Sequence, residues 1–541
     1  GAAAAAAAAS GAPRVVYDGY PHDGSSPHAG AGAESLLIDS KFESGNLRRA
    51  IQVSPTEYDL VLNCDVNTRG HTQWFFFRVR NMQPGVPYRF NVINMMKPDS
   101  LFSSGMRPLV YSEADASQRS IGWVRAGSDI CYYQNQYVYV GSSKRKSKGA
   151  ASRDTSLPFY SLSMTLVFPH ANDSAFVAQC YPYTYTRLQT YLHSLVERRP
   201  DIVRRETLCL SSGRNACELL TVSDFGCEPH ELHARRVAVI SARVHPGESN
   251  ASWMMEGFID AITSDSPEAL ALRRAIVVKI VPMLNPDGVI LGNYRCGLSG
   301  VDLNRQWHDP SEVRMPTIFH TKRLIKSLAA QEQLLLFCDL HGHSRKRNIF
   351  MYGCENTRGP LRLRERVFPR LLADCCPHFS LPGCSFKVLR SKENTGRVVV
   401  CRQFGLPSSY TLEASFCGAD FGQGVGVHFN TAHLREMGAA FVPALLDMAE
   451  PTQARVGAIL AELECAFPLQ QDADDDDDEG GGGDRAEGGG GEAATRRPAR
   501  GRRAAAAPKA VPSSTAGRRK SQSPPEAVLK AAAKKKPGGT L

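Results

Sequence analysis

Two histidines and two glutamates stand where chemistry is easiest to build. His245-Pro-Gly-Glu248 follows directly on the apolar run 236–244, and His341 closes a second such run, 334–340. In an open sheet of parallel strands, ligands gather just beyond the carboxyl ends. A His and a Glu three residues apart on a Pro-Gly turn can converge on one cation. The HxxE spacing alone is more often a plain surface loop. The weight comes from a second histidine in the same strand-end setting. Two nitrogens and a carboxylate leave a fourth position for water, the pattern of a catalytic zinc site, whereas structural sites are more often closed by cysteines. His341, nearest the strand end, is the candidate ligand. His343, two residues on, is read either as a group supporting a ligand or facing the substrate, or as a satisfied loop histidine.

Two further segments fit around such a centre. Asn304-Arg305, within Asp302-Leu-Asn-Arg305, combines an amide donor with a planar guanidinium that grips a carboxylate in two places. Beside a zinc site, that pair reads as a clamp for the terminal carboxylate of a chain. The run Tyr410-Thr-Leu-Glu413-Ala-Ser-Phe carries one carboxylate in an apolar strand. A buried glutamate needs a partner or a purpose. Here it is either a general base facing a water or one half of a structural ion pair with an arginine.

These residues need a scaffold, and the hydrophobic pattern supplies two. Residues 58–65, 73–80, 88–94, 130–133, 136–140 and 160–168 are short, aromatic or β-branched, and separated by turn residues, the pattern of an antiparallel β-sandwich. From 176 to about 450, strands at 236–244, 275–282 and 334–340 alternate with helical segments at 188–198 and 253–264. That alternation predicts an α/β domain with a parallel or mixed sheet. The expected organisation is a disordered Ala/Gly-rich tail over 1–33, the sandwich over 34–172, the α/β domain over 173–468, and a disordered acidic-then-basic tail over 469–541.

Composition narrows the function classes. The 541 residues carry 64 Lys and Arg against 54 Asp and Glu, a net charge of +10. Residues 484–541 hold 14 of the basic and 4 of the acidic residues, so 1–483 is balanced at 50 each. Residues 1–471 alone hold 50 basic and 43 acidic residues, because an Asp/Glu run at 472–479 masks a moderately basic body. No nucleic-acid-binding motif accompanies that charge in the region expected to fold. The 15 cysteines are odd in number and show no CxxC pair, which fits reduced thiols in a cytosolic protein. No run of about 18 apolar residues predicts a membrane span, and the alanine-rich start is unlike a signal peptide. The chain has no initiator Met, so it is read as processed or as a fragment. GxxxxGK[ST] is absent, so no nucleotide site is expected.

The motifs HPGE, NPDG, DLNR, DLHGHSRK and TLEASFCG occur in that order. In this they resemble the cytosolic carboxypeptidases of the M14 zinc metallocarboxypeptidase family, the tubulin deglutamylases. Phe42-Glu-Ser-Gly-Asn-Leu, Asn67-Thr-Arg-Gly-His-Thr-Gln-Trp74 and Lys97-Pro-Asp-Ser-Leu-Phe look like that group's N-terminal β-sandwich, and the likeness runs from about 35 to 450. It implies one Zn2+ per chain held by His245, Glu248 and His341. Asp302 would accept a hydrogen bond from a ligand histidine and fix its tautomer. Asn304 and Arg305 would hold the substrate's terminal carboxylate. Arg295 would polarise the scissile carbonyl. Glu413 would take a proton from the attacking water and pass it to the leaving amine. The family's side-chain pocket falls in the window 391–399, where Arg397 suits a glutamate and Lys392 is a weaker candidate. Arg345–Arg347 is read as a basic segment drawing acidic residues upstream of the scissile bond, or as a solvated loop. The tyrosine that many M14 enzymes carry about 22 residues before the catalytic glutamate has no counterpart near Ser391.

The expectation is therefore a zinc metallocarboxypeptidase removing C-terminal glutamates from acidic or polyglutamylated chains. Tubulin is the leading substrate, and the expected setting is cytoplasmic, in association with microtubules or cilia. No membrane, nucleotide or specific nucleic-acid partner is expected. The competing reading is a non-catalytic, zinc-bound microtubule-binding module.

Overall fold

The computed structural model describes residues 12–142, 154–450 and 452–468. The expected tail over 469–541, the alanine tract 1–11 and the basic loop from 143 lie outside the described residues.

Eleven strands form the N-terminal part: β1 (Arg14–Asp18), β2 (Leu37–Asp39), β3 (Arg49–Ser54), β4 (Glu57–Val61), β5 (Phe76–Arg80), β6 (Pro87–Met95), β7 (Leu109–Ser112), β8 (Val124–Arg125), β9 (Ser128–Ser142), β10 (Asp154–Val167) and β11 (Ala175–Ala178). They pair into two sheets, ordered β1-β3-β4-β6-β10-β9 and β2-β5-β11-β7-β8. Pairing is antiparallel except between β4 and β6. Inward residues alternate with outward ones, and Tyr58, Phe75, Phe77, Phe90, Leu162 and Met164 bury one shared core, as two-sheet packing requires.

Three details differ from the sequence reading. Residues from 14 onward are not a tail: β1 pairs with β3 and buries Val16 and Tyr17. The Gly/Ser-rich segment after it hid a five-residue edge strand. The sandwich also runs past 172, since β11 lies between β5 and β7. Residues 130–133 and 136–140 belong to one continuous strand, β9.

The second part is built on seven strands: β12 (Val203–Leu210), β13 (Ala216–Val222), β14 (Arg236–Ala242), β15 (Ile276–Val281), β16 (Leu334–His343), β17 (Ile349–Tyr352) and β18 (Ser409–Ser415). Their order is β12-β13-β15-β14-β16-β18-β17. The central four, β15, β14, β16 and β18, run parallel, and the outer strands run antiparallel. Strands covered on both faces read as continuous apolar runs, and β14 shows why. Its Ala238 and Ile240 enter the core shared with the helices Asn250–Ile262 and Thr431–Ala439. Its Val237 and Val239 enter another, shared with Pro316–Ala330 and Gly396–Phe404. Gly257 lets the first two helices touch, because a Cβ there would lie 2.1 Å from the Arg435 carbonyl oxygen.

Candidate metal centre and binding cleft

The carboxyl ends of the parallel strands deliver the site. β14 ends at Ala242 and the chain turns through His245-Pro-Gly-Glu248 into the helix Asn250–Ile262. β16 carries His341, which lies in register with Glu413 of β18. Gly247 has no room for a side chain, since a Cβ there would lie 2.6 Å from the Tyr294 ring.

His245, Glu248 and His341 converge, all three buried, with one ligand atom from each within 4.8 Å of the others. Glu248 bridges the two rings: Oε1 is 2.9 Å from Nδ1 of His245, and Oε2 is 2.8 Å from Nδ1 of His341. Each ring's outer nitrogen meets a carboxylate, His245 Nε2 at 3.1 Å from Asp302 and His341 Nε2 at 2.7 Å from Asp339. With a cation held between them, Nε2–H would be the donor to the carboxylate behind each ring, leaving the Nδ1 lone pair on the Glu248 side to ligate. This donor set fits zinc: two imidazole nitrogens and a carboxylate, with both rings fixed from behind. Burial would push the Glu248 carboxyl up, but His245 and His341 hold it well below the usual range. Burial likewise opposes charge on His341, yet Asp339 and Glu248 raise it.

A cleft of about 480 Å³ opens beside the cluster. Seven cationic side chains line it, Lys97, Arg295, Arg305, Arg345, Lys387, Lys392 and Arg397, against two carboxylates, Glu248 and Glu413. Asp302 Oδ2 accepts from Arg295 Nε at 2.8 Å and is 2.7 Å from its Nη2. Asp302 Oδ1 also accepts the Asn304 backbone N–H at 3.0 Å. Asn304 Oδ1 accepts from the Gly396 amide at 3.1 Å, which fixes the rotamer of its side-chain amide beside His341. Arg305 donates to the Asn304 carbonyl at 2.9 Å.

Arg397 lies at the start of the helix Gly396–Phe404, buried at 5% exposure. Its guanidinium donates to the Gly353 carbonyl and stands 5.9 Å from the centre of the Tyr352 ring. Among the described residues it has no carboxylate partner. Glu413 likewise forms no ion pair there, so the structural-pair alternative raised from sequence finds no arginine. Burial pushes its carboxyl up to about 7, opposed by His341 and helped by Glu248.

Other segments resolve differently. His343 lines the cleft and also accepts the backbone amides of Arg345 and Lys346 at 3.2 and 2.8 Å. Arg345 reaches the cleft beside Asp99, whereas Lys346 sits 4.0 Å over the Phe350 ring and Arg347 donates to the Ser104 carbonyl. Asn285 and Asp287 of the NPDG motif are scaffold. Asn285 caps a short helix, and Asp287 accepts from Ser211, Gly213 and Asn215.

Sequence reasoning missed Asp339, although a residue two before His341 on one strand shares its face. It also missed Lys97, Tyr294, Tyr352 and Lys387 on the cleft wall. Lys97 comes from the sandwich and bonds Tyr294 Oη and, at 2.7 Å, Ser344 Oγ.

A mixed sheet with two histidines, a glutamate and an arginine-lined cleft at its parallel strand ends is the architecture of a metallocarboxypeptidase. Residues 188–371 match the zinc carboxypeptidase family, and residues 38–144 match the cytosolic carboxypeptidase N-terminal domain. Cytosolic carboxypeptidase 2 of Homo sapiens is 46% identical over 433 residues, covering 80% of this chain and 46% of its own length. Cytosolic carboxypeptidase 1 of Danio rerio is 47% identical over 455 residues, covering 80% and 38%. The chain thus spans less than half the length of these two relatives. A metallo-carboxypeptidase from Burkholderia cenocepacia shares the fold at TM-score 0.60 and 22% identity, covering 79% of this chain and all of that one. The chain belongs to the M14 zinc carboxypeptidases, in their cytosolic carboxypeptidase branch. Among the described residues, no helix is long and apolar enough to cross a membrane.

Proposed function

We propose that the protein is a zinc-dependent metallocarboxypeptidase that removes C-terminal glutamates from acidic or polyglutamylated proteins, tubulin foremost, in the cytoplasm or on microtubules. The observation that carries the substrate preference is the imbalance of charge in the cleft, seven cations against two carboxylates, one of which belongs to the metal cluster. Low-dielectric walls concentrate such a field on an incoming polyanion.

His245, Glu248 and His341 would hold zinc, which when bound supplies Lewis-acid polarisation and a more acidic water. The chain's own groups do the rest. Arg305 and the Asn304 amide grip the terminal carboxylate of the substrate. Arg397 meets the side-chain carboxylate of the last residue, with Lys392 nearby. Arg295, aligned by Asp302, donates to the carbonyl oxygen where negative charge develops. Glu413 takes a proton from the attacking water and returns it to the departing nitrogen, a task suited to a carboxyl held near neutral pH. No covalent enzyme intermediate is needed.

The test is mass spectrometry of glutamylated tubulin and of peptides ending in Glu, Gln or Lys, incubated with the protein with and without a zinc chelator. Chelator-sensitive loss of single C-terminal glutamates is expected. Stoichiometric zinc with no release of any residue would overturn this reading.

A further inference from the structure

The segment that leads into Asn67-Thr-Arg-Gly-His-Thr-Gln-Trp74 belongs to the sandwich, yet it docks on the loop that carries Arg295. Asp65 Oδ1 accepts the backbone N–H of Tyr294 at 2.6 Å. Asp65 Oδ2 accepts those of Arg295 and Cys296, each at 2.7 Å. The carboxylate is itself fixed in a tight turn, with its own N–H donating to the Gly70 carbonyl at 3.0 Å and its carbonyl accepting from Thr68 at 3.0 Å. The neighbours extend the contact. Val66 N–H donates to Asn293 Oδ1 at 3.1 Å, and Asn67 Nδ2 donates to the Leu298 carbonyl at 2.8 Å. Gly300, at φ +74°, admits Asn67: a Cβ there would lie 2.5 Å from the Asn67 oxygen.

We propose that Asp65 is a positioning residue for Arg295, so that the sandwich supplies part of the catalytic apparatus. The proposal rests on the catalytic reading of Arg295 given above. A carboxylate accepting three backbone N–H groups makes charge-assisted bonds, about twice as strong as neutral ones. It pins the main chain of residues 294–296, while Asp302 aligns the Arg295 side chain from the other end. An oxyanion donor must be set to within about 0.5 Å to act in the transition state. Asp65, His71 and Cys296 also lie close enough together to suggest a second cation site. The three amides take three of the roughly four lone-pair sites of the carboxylate, which favours a loop clamp.

The experiment compares wild type with Asp65→Asn and Asp65→Ala, alone and combined with Arg295→Ala, on a peptide ending in glutamate. An amide at position 65 turns N–H donors against the loop's own N–H groups. The expected result is a 10- to 100-fold fall in kcat, KM within threefold, and one zinc per chain retained. In the Arg295→Ala background the Asp65 change should cost less than threefold more, because its effect passes through the missing side chain. Amide hydrogen exchange gives a readout independent of turnover. The peptide covering residues 294–296 should exchange at least tenfold faster in Asp65→Asn, while peptides of β14 and β16 stay protected. Equal losses in both backgrounds, or unchanged exchange at 294–296, would overturn the proposal. A wild type without activity would sink the enzymatic reading instead, and the exchange result would still decide whether Asp65 holds the loop.

Discussion

Asp339 and His341 lie two residues apart on one strand, and the carboxylate of the first reaches Nε2 of the second at 2.7 Å. Ser241 of the neighbouring strand donates to the other Asp339 oxygen at 2.8 Å. The pair fixes the ring so that Nδ1 faces Glu248. Removing the charge should weaken the metal's hold rather than the fold. Asp339→Asn is expected to lower zinc affinity 10- to 100-fold, read by competition with a chromophoric chelator. Unchanged affinity would show that the ring needs no such anchor.

Glu413→Gln keeps size and shape but can no longer carry a proton. Turnover should fall by about 10²- to 10⁴-fold, the usual worth of a positioned general base. Zinc content should stay at one per chain, because Glu413 lies outside the cluster of ligand atoms. Near-normal activity would remove Glu413 from the mechanism.

Arg397→Met keeps most of the side-chain volume and removes the charge. The preference for glutamate over glutamine at the substrate's C-terminus should drop by roughly 10- to 100-fold, from a lost charge-assisted bond of about 1.5–3 kcal/mol. The comparison of kcat/KM between the two peptides checks it, with zinc content as the control for folding. An unchanged ratio would move the pocket to Lys387 or Lys392.

His428 gives the pH prediction, far from the metal cluster in sequence. Its Nε2 accepts the Arg107 backbone N–H at 3.2 Å. Burial, with Arg125 and Arg107 close by, pushes the imidazole from 6.5 down to about 4. The folded chain therefore binds fewer protons here than the unfolded chain between those two values. Stability is lost as pH falls through that window. His428→Gln retains an acceptor and cannot titrate, so its denaturation midpoint should fall less steeply between pH 6.5 and 4. Parallel slopes for the two proteins would rule His428 out.

The metal-binding candidates were legible because His245 and His341 each stand at the end of an apolar run, with Glu248 one turn beyond the first, where sequence shows both the strand and its terminus. The sandwich was legible from period-two alternation in strands such as β4. β1 was not: its five residues stand between stretches rich in Gly, Ala and Ser, and only pairing with β3 makes them a strand. Asp65 and Lys97 were hidden for a different reason. They act on residues 229 and 247 positions later, and nothing local marks a carboxylate whose partners are backbone amides of another domain. Arg397 was reached only by family resemblance, because its isolation from any carboxylate depends on the fold of the helix and strands around it.

The register of β14, β16 and β18 has a practical consequence. Parallel strands stand about 4.8 Å apart, so His341 and Glu413 are spaced by backbone pairing, while His245 and Glu248 stand in the turn just beyond the end of β14. The cationic wall over residues 385–397 lies outside those strands. Rewriting that wall could retune which chain end is accepted while the ruler beneath it keeps its marks.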